Sequence, residues 1–165
     1  MRAVRNELVI DDEDELLQMG DEPQYFFFKV GGDIYALEAE SVREMVEFQA
    51  YTKVPLMHSY VKGVSNIRGE IVSVIDLLER FGLGSTKITK KSSMVLIGSI
   101  ALIIDEVHEV NTIAPEDIKA TLDFGFKIEN RFIKNMARYK GSYIAILNSA
   151  EILNIKEISS YKETL

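Results

Sequence analysis

From Tyr25 onward the chain alternates short apolar runs with clusters of turn residues, the spacing of a sheet rather than of long helices. Tyr25-Phe26-Phe27-Phe28-Lys29-Val30 and Ile34-Tyr35-Ala36-Leu37 flank Gly31-Gly32-Asp33, and two strand-like runs joined by a Gly-Gly turn predict a hairpin. Glu40 to Val46 predicts a short helical turn entering a further strand, and Val54-Pro55 marks a loop. Next comes Val61-Lys62-Gly63-Val64-Ser65-Asn66-Ile67-Arg68-Gly69, then Glu70 to Leu78, where a glycine-flanked turn carrying one arginine separates two strand-like runs. The branched side chains of Ile71, Val72, Val74 and Ile75 suit a packed pleat. After a polar connector, Gly82 to Lys91, the runs Val95–Ile97 and Ile100–Ile104 flank Gly98-Ser99, a pair suited to a type II′ turn.

The two halves of the chain echo each other. Gly69-Glu-Ile-Val-Ser-Val-Ile-Asp76-Leu-Leu-Glu79 lines up with Gly141-Ser-Tyr-Ile-Ala-Ile-Leu-Asn148-Ser-Ala-Glu151. Upstream, Ser41-Val42-Arg43-Glu44-Met45 after Glu40 lines up with Glu106-Val107-His108-Glu109-Val110 after Asp105. Two similar β modules follow from this repeat, spanning about 24–85 and 86–155, with exchange of segments between them allowed. Asp76 and Asn148 stand where a strand ends and a short helix begins, so each is expected to cap that helix, at about 1 kcal/mol apiece. A position served equally by asparagine wants a cap rather than a charge, which argues against Asp76 as a catalytic carboxylate.

Charge changes the picture at the N-terminus. Residues 1–23 carry eight acidic and two basic side chains, so nearly all of the net −7 resides there and the remainder is close to neutral. The run Asp11-Asp12-Glu13-Asp14-Glu15 before Leu16-Leu17-Gln18-Met19 can start a helix with an acidic first turn, or serve as a docking peptide. Its composition favours a solvated, flexible tail over residues 1–23, and a second tail is expected over 156–165. Without a basic face, a phosphate backbone is a poor ligand. The apolar run from Met94 to Ile104 is too short to span a bilayer and is broken at Gly98-Ser99, and the acidic N-terminus lacks the apolar segment of a signal peptide. The absence of cysteine fits a reducing compartment and removes thiolate chemistry.

Elements of a catalytic or metal site do not assemble in the sequence. His58 and His108 are the two histidines and no ligand spacing joins them; both are expected at the surface or a sheet edge. His58-Ser59 has no nucleophile elbow around it. Gly82-Leu83-Gly84-Ser85 lacks the lysine of a P-loop. The Tyr25–Phe28 aromatics can stack bases in an OB-like barrel, but with a neutral body they read as barrel core. No catalytic residue, metal or cofactor is expected.

Taken in order, Val42-Arg43-Glu44, Val54-Pro55, Val61 to Gly69, Ile75-Asp76-Leu77, Phe81-Gly82-Leu83 and Ile103-Ile104-Asp105-Glu106-Val107 resemble the CheW family of chemotaxis coupling proteins over residues 24 to about 155. The resemblance implies a mainly β domain of two five-stranded barrels, SH3-like or OB-like, packed side by side with short helices. It implies a non-catalytic adaptor that couples the cytoplasmic tips of chemoreceptors to the regulatory domain of the histidine kinase CheA. Such an adaptor is cytoplasmic and recruited to receptor arrays at the inner face of the membrane, with no insertion into it. The alternatives are a coupling protein of a pilus or other non-flagellar pathway and, from a different class, a small β-barrel nucleic-acid binder.

Carried over by residue, the resemblance puts Val42, Glu44, Gly63 and Arg68 in the receptor-binding surface and makes Asn66, Gly69 and Asp76 structural signature positions. Periodicity by itself makes Val42 a core residue, whereas the resemblance makes it an exposed apolar contact. Gly63 is expected to be structural in itself, at backbone angles or a close approach closed to other residues, its functional role being to keep a surface open where any side chain would intrude. Arg68 has two compatible roles, a receptor contact and an ion pair with Glu44 that fixes the hairpin. The chain departs from the family at Ser73, where proline is common, at Leu78, where arginine is common, in lacking a second proline after Val54-Pro55, and in a short Gly98-Ser99 hairpin.

Overall fold

A computed structural model describes residues 22–120 and 125–159. The acidic segment expected as a tail lies, as far as residue 21, outside the described residues. The strands are β1 (Gln24–Val30), β2 (Asp33–Glu38), β3 (Glu44–Glu47), β4 (Val61–Ile67), β5 (Glu70–Asp76), β6 (Ser93–Ile97), β7 (Ile100–Ile104), β8 (Glu106–Thr112), β9 (Ile118–Lys119), β10 (Ile133–Tyr139) and β11 (Ser142–Leu147). Among the described residues three single-turn α-helices accompany them, α1 (Leu77–Arg80), α2 (Ser149–Ile152) and α3 (Ile155–Ile158), with 3-10 turns at Ala39–Ser41, Pro115–Asp117 and Asn130–Phe132.

The strands form two sheets, one ordered β8-β1-β2-β11-β10-β9 and the other β3-β6-β7-β5-β4. The repeat is therefore real in space, but its halves are interlocked. Hairpin β1–β2, from the first half, lies in the sheet otherwise built by the second, and hairpin β6–β7 returns the exchange. Each donated hairpin joins its host by a parallel pairing, β2 with β11 (Tyr35 opposite Ala145) and β7 with β5 (Ile100 opposite Ser73).

Closed five-stranded barrels are the one part of the expected architecture that needs correction. Neither sheet closes through a continuous ladder. In the β3 sheet the chain beyond β3 crosses to the opposite edge, where Thr52 and Val64 exchange backbone hydrogen bonds of 2.8 and 2.9 Å. In the other sheet β9, which follows β8 in sequence, makes the corresponding crossing against β10.

Side-chain alternation sorts the core into three clusters. One face of β1, β2, β6 and β7 supplies Phe26, Phe28, Leu37, Val95, Leu102 and Ile104 to a large cluster shared by the two sheets. The opposite faces fill the interior of each sheet, with Phe27 and Ala36 in one and Met94, Leu96 and Ile103 in the other. The run Tyr25–Phe28 is apolar without alternation because β1 is buried on both faces; it is core, not a base-stacking platform.

Asp76 and Asn148 both cap their helices. An Asp76 carboxylate oxygen accepts from the Leu78 N–H at 3.0 Å and Asn148 Oδ1 from the Glu151 N–H at 3.1 Å. Asp76 does more: buried, it also takes the Thr86 N–H and hydroxyl at 2.8 and 2.6 Å, which ties the polar connector to the end of β5. At the C-terminus α3 is docked, with Ile158 buried in the shared cluster, so the packed body continues through the first residues of the segment expected as a tail. Among the described residues no helix is long and apolar enough to cross a membrane.

Candidate interaction surface

Arg68 and Gly69 form the two-residue turn between β4 and β5, with φ of +53° and +85°. Positive φ at both central positions is the sign of a type I′ turn, whose twist matches that of the strands it joins. Asn66 Oδ1 accepts the Gly69 N–H at 2.9 Å and holds the turn. A left-handed backbone is uncommon for arginine, and it lifts the side chain away from the sheet: Arg68 is 69% exposed. Its guanidinium reaches Glu44 Oε1 on β3 at 3.4 Å. The ion pair read from the sequence therefore exists, in its exposed form, where such a pair contributes about 0–1 kcal/mol.

Around it Arg43 forms the tighter contacts. Its two terminal nitrogens donate to Glu70 at 3.2 and 2.6 Å and one of them also donates to the Gly98 carbonyl at 2.7 Å. Hydrogen bonding to Glu70 raises the Arg43 pKa above its ordinary value. One guanidinium thus joins the start of β3, the start of β5 and the β6–β7 turn. Met45 and Ile71, next in sequence to Glu44 and Glu70, are exposed. Sequence reasoning quoted Arg43 only as part of a motif; its fork of donors facing Glu70 depends on strands that are neighbours in space alone.

Two of the expected contact residues have packing roles in the fold. Val42 is partly buried and packs against the shared core cluster, so the assignment from periodicity describes it better than an exposed contact does. Gly63 is a structural glycine at a close approach, as the sequence leads one to expect. A Cβ there would lie 1.9 Å from the Thr52 carbonyl oxygen, so the glycine permits the crossing strand to press onto β4, and at φ +152° it also sits in backbone territory that favours glycine.

A second polar cluster, at the seam between the sheets, was not legible in the sequence. Arg80 of α1 has a side chain only 2% exposed. It lies between the rings of Tyr60 and Phe132, at 4.8 and 4.9 Å from their centroids. Its nitrogens donate to the carbonyls of Ile152 and Glu151, at 2.8 and 3.0 Å, and to Glu157 of α3 at 2.9 Å. Arg131 approaches Glu157, Glu151 and Glu129 at 3.0 to 3.1 Å. Hydrogen bonds from Arg131, then from Arg80, outweigh partial desolvation and hold the Glu157 carboxyl down at about 2. His58 joins the seam, stacked on Tyr60 with centroids 4.9 Å apart and hydrogen-bonded to the Glu157 carbonyl at 2.8 Å. It is thus an inter-sheet residue rather than a surface one, whereas His108 is exposed on β8.

These contacts orient and clamp. They do not place a base against a nucleophile, and among the described residues no three His, Asp or Glu side chains converge as a metal site. What the arrangement presents outward is an exposed arginine paired with a carboxylate at one end of the β3 sheet.

The chain matches the family model described as CheW-like domain over residues 24–157. It is 26% identical to the chemotaxis protein CheW of Treponema pallidum, covering 82% of this chain and 84% of that one, and 27% identical to the chemotaxis protein CheW of Bacillus subtilis, covering 77% and 84%. A crystal structure of the scaffolding protein TtCheW from Thermoanaerobacter tengcongensis superimposes with a TM-score of 0.70 at 30% identity, covering 77% of this chain and 84% of that one.

Proposed function

We propose, from the premise that this chain belongs to the CheW family, that it works without catalysis, linking the cytoplasmic tips of chemoreceptors to the regulatory domain of the kinase CheA. Chemotaxis coupling is the role of the family and of this chain. The observation that carries the proposal for the surface is the exposed Arg68 paired with Glu44, next to Arg43 bound to Glu70, with Met45 and Ile71 exposed on the same strands as those glutamates. The Arg68 backbone is fixed by its turn, and its exposed guanidinium offers a fork of donors to a partner carboxylate or carbonyl, while exposed apolar side chains on β3 and β5 supply area that can be removed from water. Val42 and Gly63 act on this surface from beneath, as a packed support and as the crossing point of the chain. In the cell the protein is proposed to be cytoplasmic and recruited to receptor arrays.

The test combines two partners and one variant. Purified protein is titrated with a CheA regulatory domain by calorimetry, and receptor-dependent kinase activity is measured in reconstituted complexes with wild type and Arg68→Ala. Micromolar or tighter kinase binding by both, with receptor control lost only in the variant, is the expected pattern. Absence of any kinase binding would overturn the adaptor assignment, and unaltered receptor control in the variant would remove Arg68 from the surface.

A further inference from the structure

The connector between α1 and β6 carries positive charge that the described structure leaves largely unanswered. Gly82 to Lys91 contains Lys87, Lys90 and Lys91, all exposed, and no acidic residue. Among the described residues Lys87 and Lys90 have no acidic partner, and Lys91 shares Glu106 with Lys29, at 3.6 and 3.4 Å. Leu83 and Ile88, on the same connector, are 40% and 46% exposed. A cleft of about 380 Å³ is lined in part by Lys87, Thr89 and Lys91 of the connector, by Leu78 of α1, and by Asp105 and Glu106 where β7 passes into β8. The backbone that carries the lysines is pinned. Asp76 takes the Thr86 N–H and hydroxyl at 2.8 and 2.6 Å, Ser92 Oγ takes the Thr89 N–H at 2.7 Å, and Thr89 Oγ1 takes the Lys91 N–H at 3.1 Å. A ligand therefore has only side chains left to order.

We infer that this surface docks an acidic segment of a partner protein, one with carboxylates close together in sequence and a few leucine-sized side chains among them. Charge complementarity selects the carboxylates, which meet Lys87, Lys90 and Lys91. Leu78 in the cleft, with exposed Leu83 and Ile88 on the connector, supplies apolar area that can be removed from water. Asp105 and Glu106 then discriminate among anionic ligands. Asp105 accepts the Gly32 N–H at 3.0 Å and Glu106 meets the two lysines, but an ionised carboxylate has about four acceptor sites, so both can take further donors. A peptide brings backbone N–H groups along with its carboxylates. A phosphate-rich backbone or an anionic lipid surface instead presses negative charge against both acidic residues.

The cleft lies at the end of β5 opposite Arg68. β5 runs from Glu70, which Arg43 holds, to Asp76, which anchors the connector, a separation of roughly 20 Å at about 3.3 Å per strand residue. A segment docked there leaves Arg68 free. The inference is thus independent of the receptor-facing surface, and either can fail without the other.

The test titrates full-length ¹⁵N protein with a synthetic peptide of six glutamates and two leucines. The amide resonances of Leu83 to Lys91 and of Gly31 should shift progressively, while those of Met45 and Arg68 stay in place. Exposed ion pairs are individually weak and salt-sensitive, so the affinity should fall at least about tenfold between ~0.02 M and ~0.5 M salt, where charge is screened within a few ångström. Binding should be lost in the triple variant Lys87→Glu, Lys90→Glu, Lys91→Glu, whose dispersed sheet resonances verify its fold, and should weaken several-fold in Ile88→Ser. Connector resonances that do not move at millimolar peptide, or that move equally in the triple variant, would overturn the inference. Vesicles of phosphatidylglycerol that shift the connector where the peptide does not would assign it to a lipid surface and overturn the peptide assignment.

Discussion

The turn Arg68-Gly69 and the turn Lys140-Gly141 occupy the same place in the two modules and look alike in backbone, with φ of +53° and +85° in one and +50° and +83° in the other. Each turn also sets a cation against a glutamate on the neighbouring edge strand: Arg68 against Glu44 at 3.4 Å and Lys140 against Glu109 at 3.3 Å. The residues just before them differ. Tyr139 stacks on Phe27, with centroids 4.2 Å apart, and its hydroxyl donates to Glu109. That bond, together with Lys140, holds the Glu109 carboxyl below its ordinary pKa, while burial and Glu109 push the Tyr139 hydroxyl up. Ile67 fills the corresponding position with no polar atom, so Glu44 meets its cation without an inner partner. The repeated turn and charge pair thus belong to the fold, as a side-chain closure between strands that no ladder joins. The two pairs are almost equally exposed, so the difference between the closures is the inner hydroxyl of Tyr139, which the β3 sheet lacks.

The crossing strands contrast in the same way. Thr52 lies directly on Gly63, whereas at the equivalent crossing Asn135 reaches the Lys119 carbonyl at 3.5 Å with its side chain. Gly63→Ala should therefore cost at least about 4 kcal/mol or prevent folding, because a backbone carbonyl must move, while Asn135→Ala should cost at most about 1 kcal/mol. Urea unfolding of the two variants measures the difference, and equal effects would dissolve the contrast.

Replacing Tyr139 by alanine removes a stacked, half-buried ring and should cost about 2–3 kcal/mol. Tyr139→Phe keeps the ring and should cost about 1 kcal/mol, readable as a shift in melting temperature.

The seam between the modules is tested by acid. The folded pKa of Glu157 is depressed to about 2, so its contribution is complete above the ordinary carboxylate range and disappears as pH falls from about 4.5 through 2. Glu157→Gln should lose about 2 kcal/mol at neutral pH, by leaving the buried Arg80 short of a partner, and should show a shallower loss of stability over that acid window. A variant with an unchanged acid limb would show that other groups dominate it.

The smallest stability effect belongs to Arg68→Ala, at most about 1 kcal/mol. Thermal melting checks it on the sample used for receptor coupling, where the expected loss is large. A cost of several kcal/mol would instead equate the two closures.

What the sequence disclosed was local. Hairpin turns, the repeat and the Asp76 and Asn148 caps each depend on residues a few positions apart, and all are present. The exchange of hairpins was left open because a repeat shows that two units are alike without showing which unit each strand joins. Arg80 and Glu157 were not foreseen, since 77 residues separate them and each alone resembles an ordinary surface charge. Gly63 was legible as a structural glycine suited to a close approach, but the partner was not: Thr52 reaches it only after the chain has crossed the sheet.

The interlocked hairpins also fix an order of events during synthesis. Tyr35 of β2 pairs with Ala145 of β11, so the strand leaves the ribosome about a hundred residues ahead of its partner, a wait of roughly 5–20 s at common elongation rates of about 5–20 residues per second. Through that interval Phe26, Phe28 and Leu37, destined for the shared core, have only nascent chain and chaperones to cover them. Neither sheet can complete early, because β3, β4 and β5 in turn await β6 and β7. A ribosome-stalled chain ending near residue 105 should therefore hold at most the β3 sheet, with β1–β2 sensitive to protease until β11 emerges.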